Sequence, residues 1–349
     1  VVLFSAAPGA SADQPRPAVS FAPPPPEVPI ALMVDLSSGQ TLYAREPDRR
    51  FMPASMTKVM TAFLAFELID AGKVRPEQLV LVSPDLWTEW HGVGSTMFLE
   101  LNQRVSVDAL LFGVTTVSAN DGAAVLGGGI AGSLDKWTAM MNAKAREIGM
   151  TNSHFGTPNG WMDEGRTFVT ARDLATLASA MITRHPDLYA RYFGNRRLKF
   201  NGFEQRNHDP LTGVVAGADG IKTGFTNQAG YGFVGSAQRD GRRIVMVIGG
   251  APTSRIQHQA SRDFMEWGFQ SFTGAHLFDR GAVVSEVRVQ GGASRWLPVT
   301  ASLPIGYDLP AGQTGSVKLA VRYEGPLRAP IAKGERVAEL EIAAEGMRP

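Results

Sequence analysis

"PASMTKVMTAFLAF", residues 53–66, decides how this chain is read. It is apolar nearly all round, the pattern of a helix inside a core rather than on a surface. Ser55 and Lys58 are the exceptions, and both fall in its first turn. Residues three apart on a helix share a face, with Cβ atoms roughly 5–6 Å apart. A serine hydroxyl is a poor nucleophile until a base removes its proton. An ammonium group cannot be that base. A desolvated lysine can, because burial disfavours its charged form and lowers its pKa. Met56, Val59, Met60, Ala62, Phe63 and Leu64 supply apolar surroundings of that kind. S-x-x-K alone also describes a capping serine beside a lysine reaching for solvent, and taken alone that plainer reading is the stronger one.

The flanking chain gives this helix a setting. "IALMVDLSSGQTLYARE", residues 30–46, places two apolar runs around the turn signal Ser37-Ser38-Gly39-Gln40, which predicts a hairpin. Ala109 to Val117 and Ala123 to Ala131 read as apolar helices separated by "SAND". Asp135 to Ile148 has helical spacing, with Trp137, Met140, Met141 and Ala145 on one face and Gly149 as its stop. Another helix follows in "TARDLATLASAMITRH", with Thr170 as its N-cap. "YGFVGSA" and "RRIVMVIGG" form a second hairpin through Asp240-Gly241, a strong turn pair. Hairpins at both ends with helices between them predict an α+β fold, an antiparallel sheet covered by helices.

Two shorter stretches carry further polar groups. Ser118-Ala119-Asn120 lies between two helical runs, where a short loop presents a hydroxyl and an amide. Lys222-Thr223-Gly224 precedes the second hairpin. Its lysine and hydroxyl suit an anion, and the glycine would leave space for a substrate along the strand. The phosphate-loop pattern G-x-x-x-x-G-K-[ST] is absent there.

Taken in order, S-x-x-K, S-x-N and K-T-G are far more specific than any one of them, and match the motif set of penicillin-interacting serine enzymes. "PASMTKVMTA", "GSTMFL", "SANDGAAVL", "MNAKAREIGMTNSHFGTPNG", "TARDLATLA" and "DGIKTGFTNQAGYGFVGSA" resemble the serine D-alanyl-D-alanine carboxypeptidases, the low-molecular-mass penicillin-binding proteins. The resemblance covers residues 30–272 well and the remainder more loosely. It implies a β-lactamase/transpeptidase-like fold with an inserted helical lobe. It also implies removal of the terminal D-alanine from peptidoglycan stem pentapeptides, a role in peptidoglycan maturation and cell shape, and covalent inhibition by β-lactams.

Position by position, the resemblance makes Ser55 the acylated nucleophile and Lys58 its base. Ser118 would pass a proton to the leaving amine, and Asn120 would bind the substrate amide. Lys222 would orient Ser118 and help keep Lys58 neutral. Thr223 would hold the terminal carboxylate, with Gly224 beside it. The backbone N–H groups of Ser55 and Phe225 would form the oxyanion hole. Ala119 stands where many relatives have glycine, and Phe225 where some have histidine. Neither a cofactor nor a metal is expected.

The ends of the chain read differently. "VVLFSAAPGASADQ" is apolar and then small, and Ala10-Ser11-Ala12 matches a cleavage pattern. Residues 1–12 therefore read as the remnant of a signal peptide, which implies export to the periplasm or cell envelope. Residues 13–29 are dense in proline and predict an extended, solvated linker. After Phe272 the pattern changes to short strands separated by Gly and Pro, a small β-sandwich-like domain over residues 273–345. In one strand, Val317, Leu319, Val321 and Tyr323 alternate with Ser316, Lys318, Ala320, Arg322 and Glu324, as in a half-buried strand. Relatives often end in an amphipathic helix that docks peripherally on the cytoplasmic membrane. "EIAAEGMRP" shows no such helix, and a truncated chain would look the same.

Composition bounds the alternatives. Of 349 residues, 44% are apolar and 19% charged, and the net charge of +1 carries no basic run, which argues against nucleic acid as a partner. The absence of cysteine excludes disulfides, thiolate metal sites and a cysteine nucleophile. No apolar run approaches the roughly 18 residues of a membrane span. Gly127 to Gly132 matches G-x-G-x-x-G, but it follows a helix rather than a strand, so helix packing is the better reading. Arg172-Asp173 reads as a charge pair at a helix start. His208 is a candidate to line the cleft, and Arg255 a candidate anion contact. A class A β-lactamase would need a glutamate-bearing loop between the second and third motifs, and "WMDEGRTFVT" is not one. A D,D-endopeptidase and a catalytically retired scaffold remain as competing readings.

Overall fold

The computed structural model describes residues 21–312 and 317–344. The signal-peptide reading of residues 1–12, and the first part of the linker, lie outside the described residues.

The centre is a five-stranded antiparallel sheet. Its strands are β1 (Ile30–Asp35), β2 (Thr41–Arg45), β3 (Ala218–Thr226), β4 (Gly230–Arg239) and β5 (Arg242–Ala251), in the order β2-β1-β5-β4-β3. Side chains alternate across a strand, and here both faces are covered. Ile30 and Leu32 of β1, with Val245 and Val247 of β5, join one core. Ala31, Met33, Ile244, Met246 and Ile248 join the other. The second hairpin turns at Asp240 and Gly241, both at positive φ (48° and 81°), as an Asp-Gly hairpin turn requires.

Helices form the two outer layers. On one face lie α1 (Lys58–Asp70), α2 (Val107–Thr116), α3 (Asn120–Ala131), α4 (Leu134–Glu147) and α5 (Ala171–Arg184). On the other lies α6 (Ser254–Ser271), which buries Ala260, Phe264 and Met265 against the sheet. The starts of these helices carry their own caps. The side chains of Ser106, Ser133, Thr170 and Thr253 accept hydrogen bonds from N–H groups of the first turns of α2, α4, α5 and α6. The glycine run lies within α3, where a Cβ on Gly127 would stand 2.7 Å from the ring of Trp137. That is close helix packing, as expected. Arg172 pairs with Asp48, while Asp173 accepts from Asn152 and Ser153.

The end of the proline-rich stretch is docked rather than solvated. Val28 is fully buried, and the Arg45 guanidinium on β2 donates to the carbonyls of Pro24, Pro25 and Val28 at 2.8–2.9 Å. The Pro25 carbonyl also accepts from the Val28 N–H at 3.0 Å, closing a turn that the arginine clamps to the sheet.

Beyond α6 the chain forms strands in small sheets. Phe272–Phe278 pairs with Ile305–Pro310. Val283–Gln290 pairs with Trp296–Thr300 and with Leu327–Arg328. Val317–Arg322 pairs with Glu339–Ala344. The alternation predicted for the Val317 strand fails at Leu319, which is 44% exposed because this two-stranded ladder leaves that position uncovered. Where these strands meet the main sheet, Arg242 reaches two buried carboxylates, Asp35 and Asp308, and donates to the carbonyls of Gly268 and Phe272.

Candidate active site

The turn carrying Ser55 is a short 3-10 segment, Ala54–Thr57, that runs directly into α1. Lys58 therefore begins α1 and is 1% exposed. Its Nζ lies 2.8 Å from Ser55 Oγ, 2.7 Å from Asn120 Oδ1 and 2.8 Å from the Asn159 carbonyl. Among the described residues, no ion pair reaches it. Burial pushes its pKa well below the ordinary lysine value, and the nearby Lys222 pushes the same way, against a weaker pull from Asp121.

Ser118 and Asn120 sit at the junction of α2 and α3. Ser118 holds a positive φ of 63°, and Asn120 opens α3. The Asn120 side chain is already engaged: its Oδ1 faces Lys58, and its Nδ2 donates to the Val93 carbonyl at 2.9 Å. Its backbone N–H holds the Ser95 carbonyl at 2.7 Å. Asp121 anchors the same loop by accepting from the N–H groups of Met97 and Leu99. Burial raises the Asp121 pKa, opposed by those backbone donors.

The third motif lies on β3, the edge strand, packed against the Ser55 turn. Gly224 lines the cleft, but its missing side chain serves a different purpose from the one expected. A Cβ there would lie 2.4 Å from the Pro53 carbonyl oxygen and 3.2 Å from Met56 N, so glycine lets the strand close against the Ser55 turn. Lys222 also differs from expectation. It is buried behind the cleft, and among the described residues its Nζ donates to the Thr223 carbonyl at 3.1 Å rather than to Ser118. Burial lowers its pKa to about 7, with Asp209 opposing. Its influence on the site is through its field.

Ser55 opens onto two adjoining hollows. One, of about 300 Å³, is lined by Ser118, His208, Thr223, Ser254, Gln257 and His258. The other, of about 360 Å³, is lined by Gly94, Asn120, Trp161, Met162, Thr226 and Asn227. Phe225 borders both and stacks on Tyr231 with ring centroids 4.1 Å apart. His208 thus lines the cleft, as the sequence suggested. Arg255 is exposed and is not among the residues lining either hollow.

Sequence reasoning missed Asn159, Ser95, Asp121, Gln257 and His258. Asn159 lies in "TPNG", a turn signal whose carbonyl gains meaning only when it meets Lys58. Gln257 and His258 sit on an amphipathic helix with no local mark of function. Asp121 adjoined a motif already identified, and its position at the first turn of a buried helix was the available signal.

No helix among the described residues is long and apolar enough to cross a membrane, and none of them form a cluster able to hold a metal ion. Residues 20–253 match the D-alanyl-D-alanine carboxypeptidase family, peptidase S11, and residues 272–347 match the C-terminal domain of penicillin-binding protein 5. A D-alanyl-D-alanine carboxypeptidase, DacA, of Haemophilus influenzae is 31% identical over 335 residues, covering 94% of this chain and 84% of its own. Penicillin-binding protein 5 from the same organism superposes with a TM-score of 0.83 at 31% identity, covering 93% of this chain and 95% of its own. Penicillin-binding protein D2 from Listeria monocytogenes, solved in its cefotaxime-bound form, superposes with a TM-score of 0.63 at 29% identity, over 70% of this chain and 97% of its own. With its serine and lysine in one buried turn and both halves of the chain matched, this protein belongs to the serine D-alanyl-D-alanine carboxypeptidase family of penicillin-binding proteins.

Proposed function

We propose that Ser55 is acylated by peptides ending in D-Ala-D-Ala, with release of the terminal D-alanine, in the maturation of peptidoglycan at the cell envelope. The observation that carries this reading is the contact between Lys58 Nζ and Ser55 Oγ, with no ion pair reaching the buried amine among the described residues. A neutral amine has two N–H bonds and one lone pair. The N–H bonds are satisfied by Asn120 Oδ1 and the Asn159 carbonyl, which turns the lone pair toward the Ser55 hydroxyl.

In this reaction Ser55 Oγ attacks the carbonyl carbon of the penultimate D-alanine while Lys58 takes the hydroxyl proton. The oxyanion is held by the N–H groups of Ser55 and Phe225. The first lies in an opening helical turn, where N–H groups lack intrahelical acceptors. The second lies on an edge strand. Such a donor contributes about 10²–10³ in rate. The C–N bond breaks as a proton reaches the leaving amine by way of Ser118, and Thr223 holds the departing carboxylate. Water then hydrolyses the ester. A β-lactam enters the same path as a covalent inhibitor. The two matched segments support a division into a catalytic unit over residues 30–272 and an accessory β unit over residues 273–345. Association with the cytoplasmic membrane, where it occurs, would be peripheral.

The test is mass spectrometry of the protein after incubation with benzylpenicillin, together with D-alanine release from diacetyl-L-Lys-D-Ala-D-Ala. The expected result is one adduct on Ser55, release that penicillin blocks, and loss of both in Ser55→Ala. Stoichiometric labelling of folded Ser55→Ala would overturn the assignment.

A further inference from the structure

The hollow beside Thr223 has a floor that the three motifs do not account for. It is built from the first turns of α6 and from the loop before β3. Gln257 is 2% exposed, lines this hollow, and has a side-chain Nε2 with no hydrogen-bond partner among the described residues. An unpaired buried donor is costly, and a ligand acceptor would relieve the cost. Ser254 Oγ lies 3.5 Å from His258 Nε2, and His208 faces them from the loop. Thr223, Ser254, Gln257 and the two imidazoles are donors converging at the positive end of an 18-residue helix. Arg255, the permanent cation nearest in sequence, is exposed and absent from the lining.

We propose that His208 and His258, with Gln257, form the pocket that reads the carboxylate of the leaving D-alanine, so that this enzyme recognises its substrate's terminus with proton-dependent cations instead of a fixed one. The proposal rests on the reading of the previous section and specifies its leaving-group subsite. The charged groups facing the pair come from three elements. Lys222 of β3 faces His208, and Asp209 of the same loop faces Lys222. Arg262 of α6, His208 and Asp209 face His258. Loss of solvation lowers the pKa of both rings, with Lys222 adding to the effect on His208 and Arg262 to that on His258. Both imidazoles are therefore neutral hydrogen-bonding groups in the empty enzyme near neutrality. A bound carboxylate favours their protonated forms, so substrate binding takes up protons and tightens as pH falls.

The experiment is steady-state D-alanine release from diacetyl-L-Lys-D-Ala-D-Ala between pH 5.5 and 8.5. It compares the intact protein, His208→Gln/His258→Gln and Arg255→Gln. KM of the intact protein should fall toward acid pH. In the double variant KM should be about 10-fold higher at pH 6 and within about 2-fold of the intact protein at pH 8.5, the size expected for a charge-assisted hydrogen bond. Unchanged penicillin stoichiometry on Ser55 verifies that the double variant is folded. If it is not, His208→Gln alone replaces it, since that ring is exposed at the cleft. A KM independent of pH in the intact protein overturns the proposal. So does a rise in KM in Arg255→Gln without one in the histidine variant. A protein that is labelled by penicillin but releases no D-alanine would instead overturn the carboxypeptidase reading.

Discussion

Two of the places where this molecule buries charge-bearing groups do so in opposite ways. At the junction with the C-terminal strands, Asp35 and Asp308 are buried around Arg242, with Ser38 and Gln40 completing the bonds to Asp308. Burial still raises the Asp308 pKa; Asp35 adds to that, while Ser38 and Arg242 oppose it. In the cleft, Lys58 is buried against three neutral oxygens, and among the described residues no carboxylate pairs with it, Asp121 pulling on it only weakly. The junction neutralises its charges by pairing, so its groups hold position. The cleft gives its amine no ion pair among the described residues, so burial pushes the Lys58 pKa down and suits it to the base role proposed above. The same desolvation yields a structural joint or a reactive group according to whether a counter-ion stands within reach.

The strongest way to break the comparison is Lys58→Ala. Without the amine, acylation of Ser55 by benzylpenicillin should slow about 10³- to 10⁴-fold, at the upper end of general-base effects. In the intact protein the acylation rate should fall as pH falls from 8.5, because the base is lost once Lys58 takes a proton at its depressed pKa. An acylation rate that rises as pH falls would mean that another group is the base. Arg242→Met should act on stability and spare the chemistry. It leaves two carboxylates buried without their cation, a loss of about 3–5 kcal/mol in urea unfolding, with labelling of the folded fraction intact. Gly224→Ala sharpens the picture from the backbone side. The added methyl pushes the Pro53–Met56 turn, and a shift of about 1 Å can cost roughly 10²-fold in acylation rate. Arg172→Ala is the control for charge pairing in water. Its pair with Asp48 is about half exposed on both sides, so unfolding should change by less than about 1 kcal/mol.

Much of this was legible in the chain itself, for definable reasons. The hairpins announced themselves through apolar runs around Ser37–Gln40 and Asp240-Gly241, because turn chemistry is local. The helix starting at Ala171 showed its Thr170 cap for the same reason. Ser55, Lys58, Ser118, Asn120, Thr223 and Phe225 were found because they belong to or adjoin short motifs, and the fold gathers them around Ser55, Lys58 by its contact with that hydroxyl and the others in the two hollows. What stayed hidden was relational. The Asn159 carbonyl matters only because it meets Lys58 across 101 residues. Gly224 looked like room for a ligand until the Pro53 carbonyl was seen to occupy that side. The solvated-linker reading failed at Val28 because proline density says nothing of an arginine on a strand that follows. Leu319 followed a regular alternation, but no second layer covers that strand.

The order of the sheet has a consequence for how the enzyme comes to be. β1 lies between β2 and β5, so the first strand of the sheet waits for the last before its inner edge is paired. Such distant pairing is slow, because loop-closure entropy is met before the contacts that reward it. The helices between can form from local contacts while the sheet is still open. Ser55 and Lys58 come early in the chain, and Thr223, Gln257 and His258 come late. A nascent chain that has made the Ser55 turn therefore has β3 and its hairpin partner not yet joined to β1 through β5, and a fragment ending before Arg242 should not be labelled by a β-lactam. Reactivity toward a β-lactam then serves as a clock for folding, with the covalent adduct appearing when the sheet closes.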